Sequence, residues 1–211
     1  MSAGDKQWRR EVITPEVEGV LASLVSKSLL GRFYLAGGTG LALHLGHRRS
    51  VDLDFFSAES VDEDSLLHKA QQLAGFSLLA RSPGTLHAHV QGVRVSFFSY
   101  PYPLLFPADS FLDAAIADPR DIACMKISAL ASRGARRDFV DLYAASQRYG
   151  LPELLEWFRR KFAQANYSQV HVLKSLTFFD DAEKDPPPDL LVPLSWEQVR
   201  SFFAREAPRL L

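Results

Sequence analysis

Two carboxylates separated by one residue, Asp52 and Asp54, follow the run Gly37-Gly38-Thr39 in this 211-residue chain. Residues two apart on a strand project to the same face. Paired carboxylates facing a phosphate are a usual way of holding Mg²⁺, which takes hard oxygen ligands and keeps several waters. Two such ions would activate an attacking hydroxyl and stabilise a leaving pyrophosphate. A glycine pair at a strand end lets a bulky anion approach the main chain. A helix opening at Thr39 would add free amides and the positive end of its dipole, which suits a triphosphate.

A second set of chemical residues lies downstream, in Lys126-Ile127-Ser128-Ala129-Leu130-Ala131-Ser132-Arg133-Gly134-Ala135-Arg136-Arg137-Asp138-Phe139-Val140-Asp141. Lys126 and Arg133 are two helical turns apart and share a face, as do Asp138 and Asp141. With the basic run His47-Arg48-Arg49, this places Arg49, Lys126, Arg133 and Arg137 as candidates for a bound nucleotide's phosphates. The plainer alternative is an amphipathic helix pair carrying surface ion pairs.

Competing motifs fit less well. Gly38-Thr39-Gly40 begins a dinucleotide fingerprint, but Leu43 stands where its third glycine or alanine belongs, and no Lys-Ser/Thr follows the glycines as a Walker loop needs. A sugar transferase with Asp-x-Asp would not place a Gly-Gly strand end one short helix upstream. Apolar Val51, Leu53, Phe55 and Phe56 surround the carboxylates, so a largely buried strand is expected, where unpartnered charge is costly. His44 reads as a packed residue. His87 and His89 alternate along a strand without an acidic or cysteine partner and read as sheet surface. Tyr100, Tyr102 and Phe106 among prolines read as lobe-to-lobe packing.

The elements that must carry these residues follow from period and punctuation. A helix is expected over 14–30, with Thr14 as cap, Pro15 in the first turn and Gly31 as stop. A short strand over 33–36 breaks at the glycines. Thr39 caps a helix over 40–45, and 51–56 is the next strand. A helix over 62–74, a strand over 76–80 and a hairpin of 85–90 with 93–100 across Gln91-Gly92 complete a mixed lobe. Helices are then expected over 118–132, 135–148, 151–162 and 168–178. After the linker Asp185-Pro186-Pro187-Pro188, Ser195 and Gln198 form a capping box for a last helix. The fold class is α+β: a lobe over 1–110 with a mixed sheet and flanking helices, then a helical lobe over 111–211.

Composition agrees with a globular protein: 47% apolar, 23% charged, net charge −1, which argues against bulk capture of nucleic acid. No apolar run approaches a membrane span and the N-terminus is polar, so neither signal peptide nor anchor is expected. The single cysteine, Cys124, cannot form an internal disulfide, which fits a reducing cytoplasm.

The two motif runs, GGTGLALHLGHRRSVDLDFF and KISALASRGARRDFVDLY, together resemble the AbiEii/AbiGii toxin family of the DNA-polymerase-β-like nucleotidyltransferase superfamily. The similarity covers about residues 30 to 150, with a weaker tail. It implies a nucleotidyltransferase lobe and a helical lobe with NTP and Mg²⁺ (or Mn²⁺) in the cleft. It further implies a toxin–antitoxin or phage-defence setting with a cognate antitoxin, and an acceptor such as the tRNA 3′ end or another RNA. By resemblance, Gly38 and Thr39 contact phosphate, Asp52 and Asp54 bind metal, and Lys126 meets the phosphates. Asp138 is the acidic residue of the helical lobe, with Asp141 as second choice. Superfamily enzymes commonly carry a third carboxylate on a neighbouring strand, and Ser96 stands at the matching place. Serine is a poor Mg²⁺ ligand and no base at neutral pH. Either Asp138 substitutes, or one metal is bound, or the chain is catalytically weak. The alternatives to RNA modification are a small-molecule or protein nucleotidyltransferase, a degenerate nucleotide-binding module, or a scaffold with no nucleotide site.

Overall fold

The computed structural model of the protein describes residues 7–210. Residues 1–6 of the polar N-terminal stretch lie outside them. Helix α1 (Pro15–Ser26) opens as expected, with the Thr14 hydroxyl accepting from the Val17 amide and Pro15 in the first turn. It stops short of residue 30. Ser28 takes φ 55°, and the resulting turn drops Leu29 and Leu30 into the core. Burial of two leucines, rather than the freedom of Gly31, sets this helix end.

Then come β1 (Tyr34–Leu35), α2 (Gly37–Leu45), β2 (Leu53–Ser57), α3 (Glu63–Ala70), β3 (Phe76–Ser82), β4 (Thr85–Val90), β5 (Val93–Ser99), β6 (Asp109–Phe111) and β7 (Ala114–Ile116). The strands form one mixed sheet in the order β3-β4-β5-β2-β1-β7-β6. Strand β2 runs antiparallel to β1 and parallel to β5, so the glycine-led helix and the carboxylate strand lie side by side at the sheet's centre. The β6–β7 hairpin, unforeseen in the sequence, joins the sheet through β7 alongside β1 and straddles the division expected at residue 110.

Two other differences bear on the site. Helix α2 begins at Gly37, not after Thr39, and its cap residue Ala36 supplies no side chain. The strand expected from residue 51 begins at Leu53, because Val51 is 56% exposed rather than buried. Asp54 is therefore on β2, whereas Asp52 sits in the irregular segment entering it.

The helical half comprises α4 (Pro119–Arg133), α5 (Arg136–Tyr149), α6 (Leu151–Lys161), α7 (Gln169–Ser175) and α8 (Trp196–Glu206). Asp118 caps α4, Gly134 ends it at φ 57°, and Ser195 with Gln198 makes the expected reciprocal box on α8. One core lies under the sheet around Leu35, Phe55 and Phe97, and a second lies among the helices around Phe139, Leu142 and Phe203. Between them Tyr34, Ala36, Leu41, Ile122 and Met125 form a small apolar seam. The aromatic-proline connector is pinned by a buried pair. Asp121 accepts from the Leu105 and Phe106 amides, each at 3.0 Å, and from Lys161 Nζ at 2.7 Å, which also donates to the Pro103 carbonyl. The proline linker returns as well: Leu190 bridges to Arg48, and the Arg49 amide donates to the Asp189 carbonyl at 2.8 Å.

Candidate active site

A cavity of about 420 Å³ opens between the sheet and α4. Gly37, Gly38, Arg48, Asp52, Asp54, Ser96, His87, Lys126, Arg133 and Arg137 reach it. Within α2, Gly40 is the first residue whose amide returns to the helix, to the Ala36 carbonyl at 3.0 Å. The amides before it belong to the helix start, where N–H groups have no partner within the helix. Close packing explains both glycines: a Cβ on Gly37, at φ +61°, would lie 2.9 Å from Asp54 Oδ2, and one on Gly38 would overlap the Arg48 guanidinium.

Thr39 has a different task from capping. It is 2% exposed, and its hydroxyl bonds Ser50 Oγ at 2.8 Å and the Asp52 carbonyl. It thereby ties the loop that delivers Asp52 to the helix that begins at the glycines.

Burial and then the charge of Asp52 push the Asp54 carboxyl above its ordinary range, only partly countered by Lys126, by the Ser96 hydroxyl and by Arg137. Arg137 reaches Asp52 at 3.8 Å from a half-exposed position. Two carboxylates in one cavity, one raised by burial and by the charge of the other, would favour a cation there. Among the described residues no cluster of three or more His, Cys, Asp or Glu side chains is arranged to hold a metal. Asp52 and Asp54 are two hard oxygen donors in one cavity, a set that would suit a Mg²⁺ completing its shell with substrate phosphates and water.

The opposite wall is a buried ionic network. Lys126 Nζ lies 2.7 Å from Asp138 Oδ1 and 2.6 Å from Asp141 Oδ2. Arg48 grips Asp141 with both arms, Nε to Oδ1 at 2.6 Å and Nη2 to Oδ2 at 2.9 Å, and His47 Nε2 is 2.7 Å from Oδ1. Arg133 Nε donates to Asp138 Oδ2 at 2.8 Å. Burial alone would raise both carboxyls. The Arg48 and Lys126 charges instead hold Asp141 well below the usual range, and Lys126 with Arg133 lowers Asp138. Burial opposes the charge on Lys126, but Asp141 and Asp138 outweigh it and raise the ammonium's pKa. Arg48, Lys126 and Arg133 are three cations against the two carboxylates Asp138 and Asp141, so this wall carries a surplus of positive charge.

The structure therefore brings together Gly37, Gly38, Asp52, Asp54, Lys126, Arg133 and Arg137, and separates others. Arg49 points outward to Asp189 at 3.0 Å and does not line the cavity, whereas Arg48 does. Consecutive residues of an irregular loop face opposite ways, and nothing in the run His47-Arg48-Arg49 says which. Asp138 is not beside Asp54: two cations bind it within the helical half, so the place across from Asp54 stays with Ser96. His87, read as sheet surface, lines the cavity. A larger cavity of about 570 Å³ beside α3 is lined by Arg32, Glu59, Asp62 and Lys69, and Arg32 pairs with Glu59 at 3.3 Å at the surface.

A glycine-led helix and two carboxylates, one on the central strand of a mixed sheet and one just before it, opposed by a cationic wall, are an arrangement suited to nucleotidyl transfer. The family model described as the nucleotidyl transferase AbiEii toxin of type IV toxin–antitoxin systems matches residues 19–102 and 99–209, and the chain belongs to that family. An uncharacterized protein of Aquifex aeolicus (strain VF5) is 36% identical over 202 residues, covering 93% of this chain and 96% of that protein. Among solved structures, MenT4, a nucleotidyltransferase toxin from Mycobacterium tuberculosis H37Rv, aligns with a TM-score of 0.54 at 16% identity, over 93% of this chain and 88% of that one. A structure from H. pylori aligns at 0.52 and 15% identity, over 92% and 93%. At such identities these two likenesses speak for the fold alone. Among the described residues no helix is long and apolar enough to cross a membrane.

Proposed function

We propose that this chain moves a nucleoside monophosphate from an NTP to an acceptor hydroxyl, the 3′ end of tRNA or another RNA being the favoured acceptor, as the toxin of a toxin–antitoxin or phage-defence pair. The observation that carries this reading is Asp52 and Asp54 facing Lys126, Arg48 and Arg133 across one cavity at the start of α2. The helix-start amides of Gly37 and Gly38 bind phosphate oxygens, as such termini do. Lys126 and Arg48 neutralise the triphosphate from a wall that Asp138 and Asp141 hold rigid, so these two carboxylates are positioning residues. Arg133 and Arg137, both partly exposed, close on the phosphates from the mouth of the cavity. Asp52 and Asp54 hold Mg²⁺ or Mn²⁺, which when bound would polarise the α-phosphate and neutralise the leaving pyrophosphate. A cognate antitoxin is the expected partner, and the cytoplasm the expected compartment.

The test incubates the protein with Mg²⁺, each α-labelled NTP in turn and total bacterial RNA, beside Asp52→Asn and Asp54→Asn. Label is expected in RNA with the parent only, falling by at least about 10²-fold in either variant, the scale lost when one electrostatic group is removed from an active site. Asp54→Asn should also unfold at a higher temperature than the metal-free parent. The folded-state pKa of Asp54 is raised, so its ionised form costs stability at neutral pH, and asparagine removes that cost. Undiminished transfer in both variants contradicts the assignment. Nucleotide binding with no transfer to RNA, protein or small molecules selects the degenerate module, which Ser96 in place of a third carboxylate favours.

A further inference from the structure

Strand pairing, together with the start of α2, places four residues in a row across the open face of the sheet. Gly37 abuts the Asp54 carboxylate, Asp54 pairs in register with Ser96 of β5, and Ser96 pairs with His87 of β4. Residues directly opposite on neighbouring strands share a face, and Asp54, Ser96 and His87 all reach the cavity. His87 Nδ1 lies 3.0 Å from Ser96 Oγ, and the imidazole stands edge-on to Phe98 with centroids 5.4 Å apart, which fixes the ring.

The hydrogen-bond inventory then sets the tautomer. Ser96 has one hydroxyl proton, and Asp54, its in-register neighbour on β2, offers as a carboxylate only acceptor oxygens. With that proton turned to Asp54, the Ser96 oxygen meets His87 as an acceptor, and His87 Nδ1 then carries the proton. The Nε2 lone pair is then left over, and among the described residues Nε2 makes no hydrogen bond. Direction follows from the row as well. The phosphates bind at the glycine end, and displacement at phosphorus keeps attacking and leaving oxygens roughly in line. The acceptor hydroxyl therefore arrives from the β5–β4 side, where His87 stands.

We propose that His87 accepts the proton of the acceptor hydroxyl, with Ser96 as the positioning residue that fixes its tautomer; this rests on the nucleotidyl transfer proposed above. In that step the acceptor oxygen bonds to the α-phosphorus and its proton passes to His87 Nε2. The α-phosphorus–oxygen bond to the β-phosphate breaks, and its electron pair leaves on pyrophosphate.

Two measurements test this. With Mg²⁺, α-labelled NTP and total bacterial RNA, His87→Gln and His87→Ala should lose about 10²- to 10⁴-fold in kcat, the range of general-base contributions. Nucleotide affinity should stay within about twofold, because no phosphate contact is touched. Added imidazole should restore His87→Ala and leave Asp54→Asn inactive, a rescue that a purely structural role does not give. Activity of His87→Gln within about threefold of the parent overturns the proposal. The second measurement needs no turnover: ¹⁵N-correlated NMR of the imidazoles at pH 8, with His87 assigned from the His87→Gln spectrum. The expected result is Nδ1–H with bare Nε2 in the parent, shifting to Nε2–H in Ser96→Ala. Nε2–H in the parent overturns the proposal. If the parent transfers no label at all, the nucleotidyl-transfer reading fails, and the tautomer still decides the geometry claimed for His87.

Discussion

Asp141 is fully buried and holds three cationic or imidazole partners at once: His47 and Arg48 from the basic loop and Lys126 from α4. Removing one member of such a network strands the others' charge in a low-dielectric interior, which typically costs 3–5 kcal/mol. Asp141→Ala should therefore lose about that much in urea unfolding. The same network predicts the acid limb of stability. The folded pKa values of Asp138 and Asp141 are depressed, so their stabilisation is present above the unfolded carboxyl value of about 3.9 and is lost as pH falls through the folded values. Unfolding monitored by circular dichroism should show the parent losing stability steeply below about pH 4. Asp141→Asn should show a shallower loss. An identical acid limb in that variant contradicts the account. At this scale the sequence was partly legible. Glycine and carboxylate spacing singled out Gly37, Asp52 and Asp54, which line one cavity, although Asp52 precedes the strand on which the spacing had placed it. Arg48 over Arg49 was not legible, since the choice depends on Asp141, almost a hundred positions away. His87 was missed because alternation says which residues share a face and not which face the helices leave open.

Elements were read best where punctuation was strong. Asp118-Pro119, Gly134 and the Ser195–Gln198 box all mark helix ends in the structure as they do in the sequence. The β6–β7 hairpin was invisible for a physical reason. Its turn residues Leu112 and Asp113 take φ 49° and 61°, a left-handed pair usually announced by Asn-Gly, and its strands are three residues each. A strained non-glycine residue there has a measurable consequence. Asp113 is exposed, so Asp113→Gly should relieve the left-handed cost with nothing lost in packing and stabilise the protein by about 0.5 kcal/mol. Nucleotide transfer should not change. Destabilisation in urea unfolding would show that the turn is held by its side chain instead. The shift of the α2 start from Thr39 to Gly37 has a similar cause: the Thr39 hydroxyl is committed to Ser50 and Asp52, so the helix is begun by backbone alone.

Across the whole molecule, the helical half and the sheet half are joined where the chemistry is. Arg48 of the sheet half is gripped by Asp141 of α5, Arg137 of α5 reaches back to Asp52, and Leu190 after the proline linker pairs with Arg48. The cavity is thus a product of assembly, with carboxylates from one half and their cationic wall organised by the other. The central claim is that a metal–NTP complex sits in this cavity, with its metal on Asp52 and Asp54 and its phosphates at the start of α2. The measurement that tests it most directly is a crystal structure with Mn²⁺ and an α,β-methylene NTP, read by anomalous scattering. The expected result is a manganese peak touching both carboxylates, with phosphate oxygens against the Gly37 and Gly38 amides and the Lys126 ammonium. Nucleotide bound elsewhere, or manganese away from Asp52 and Asp54, would contradict the account.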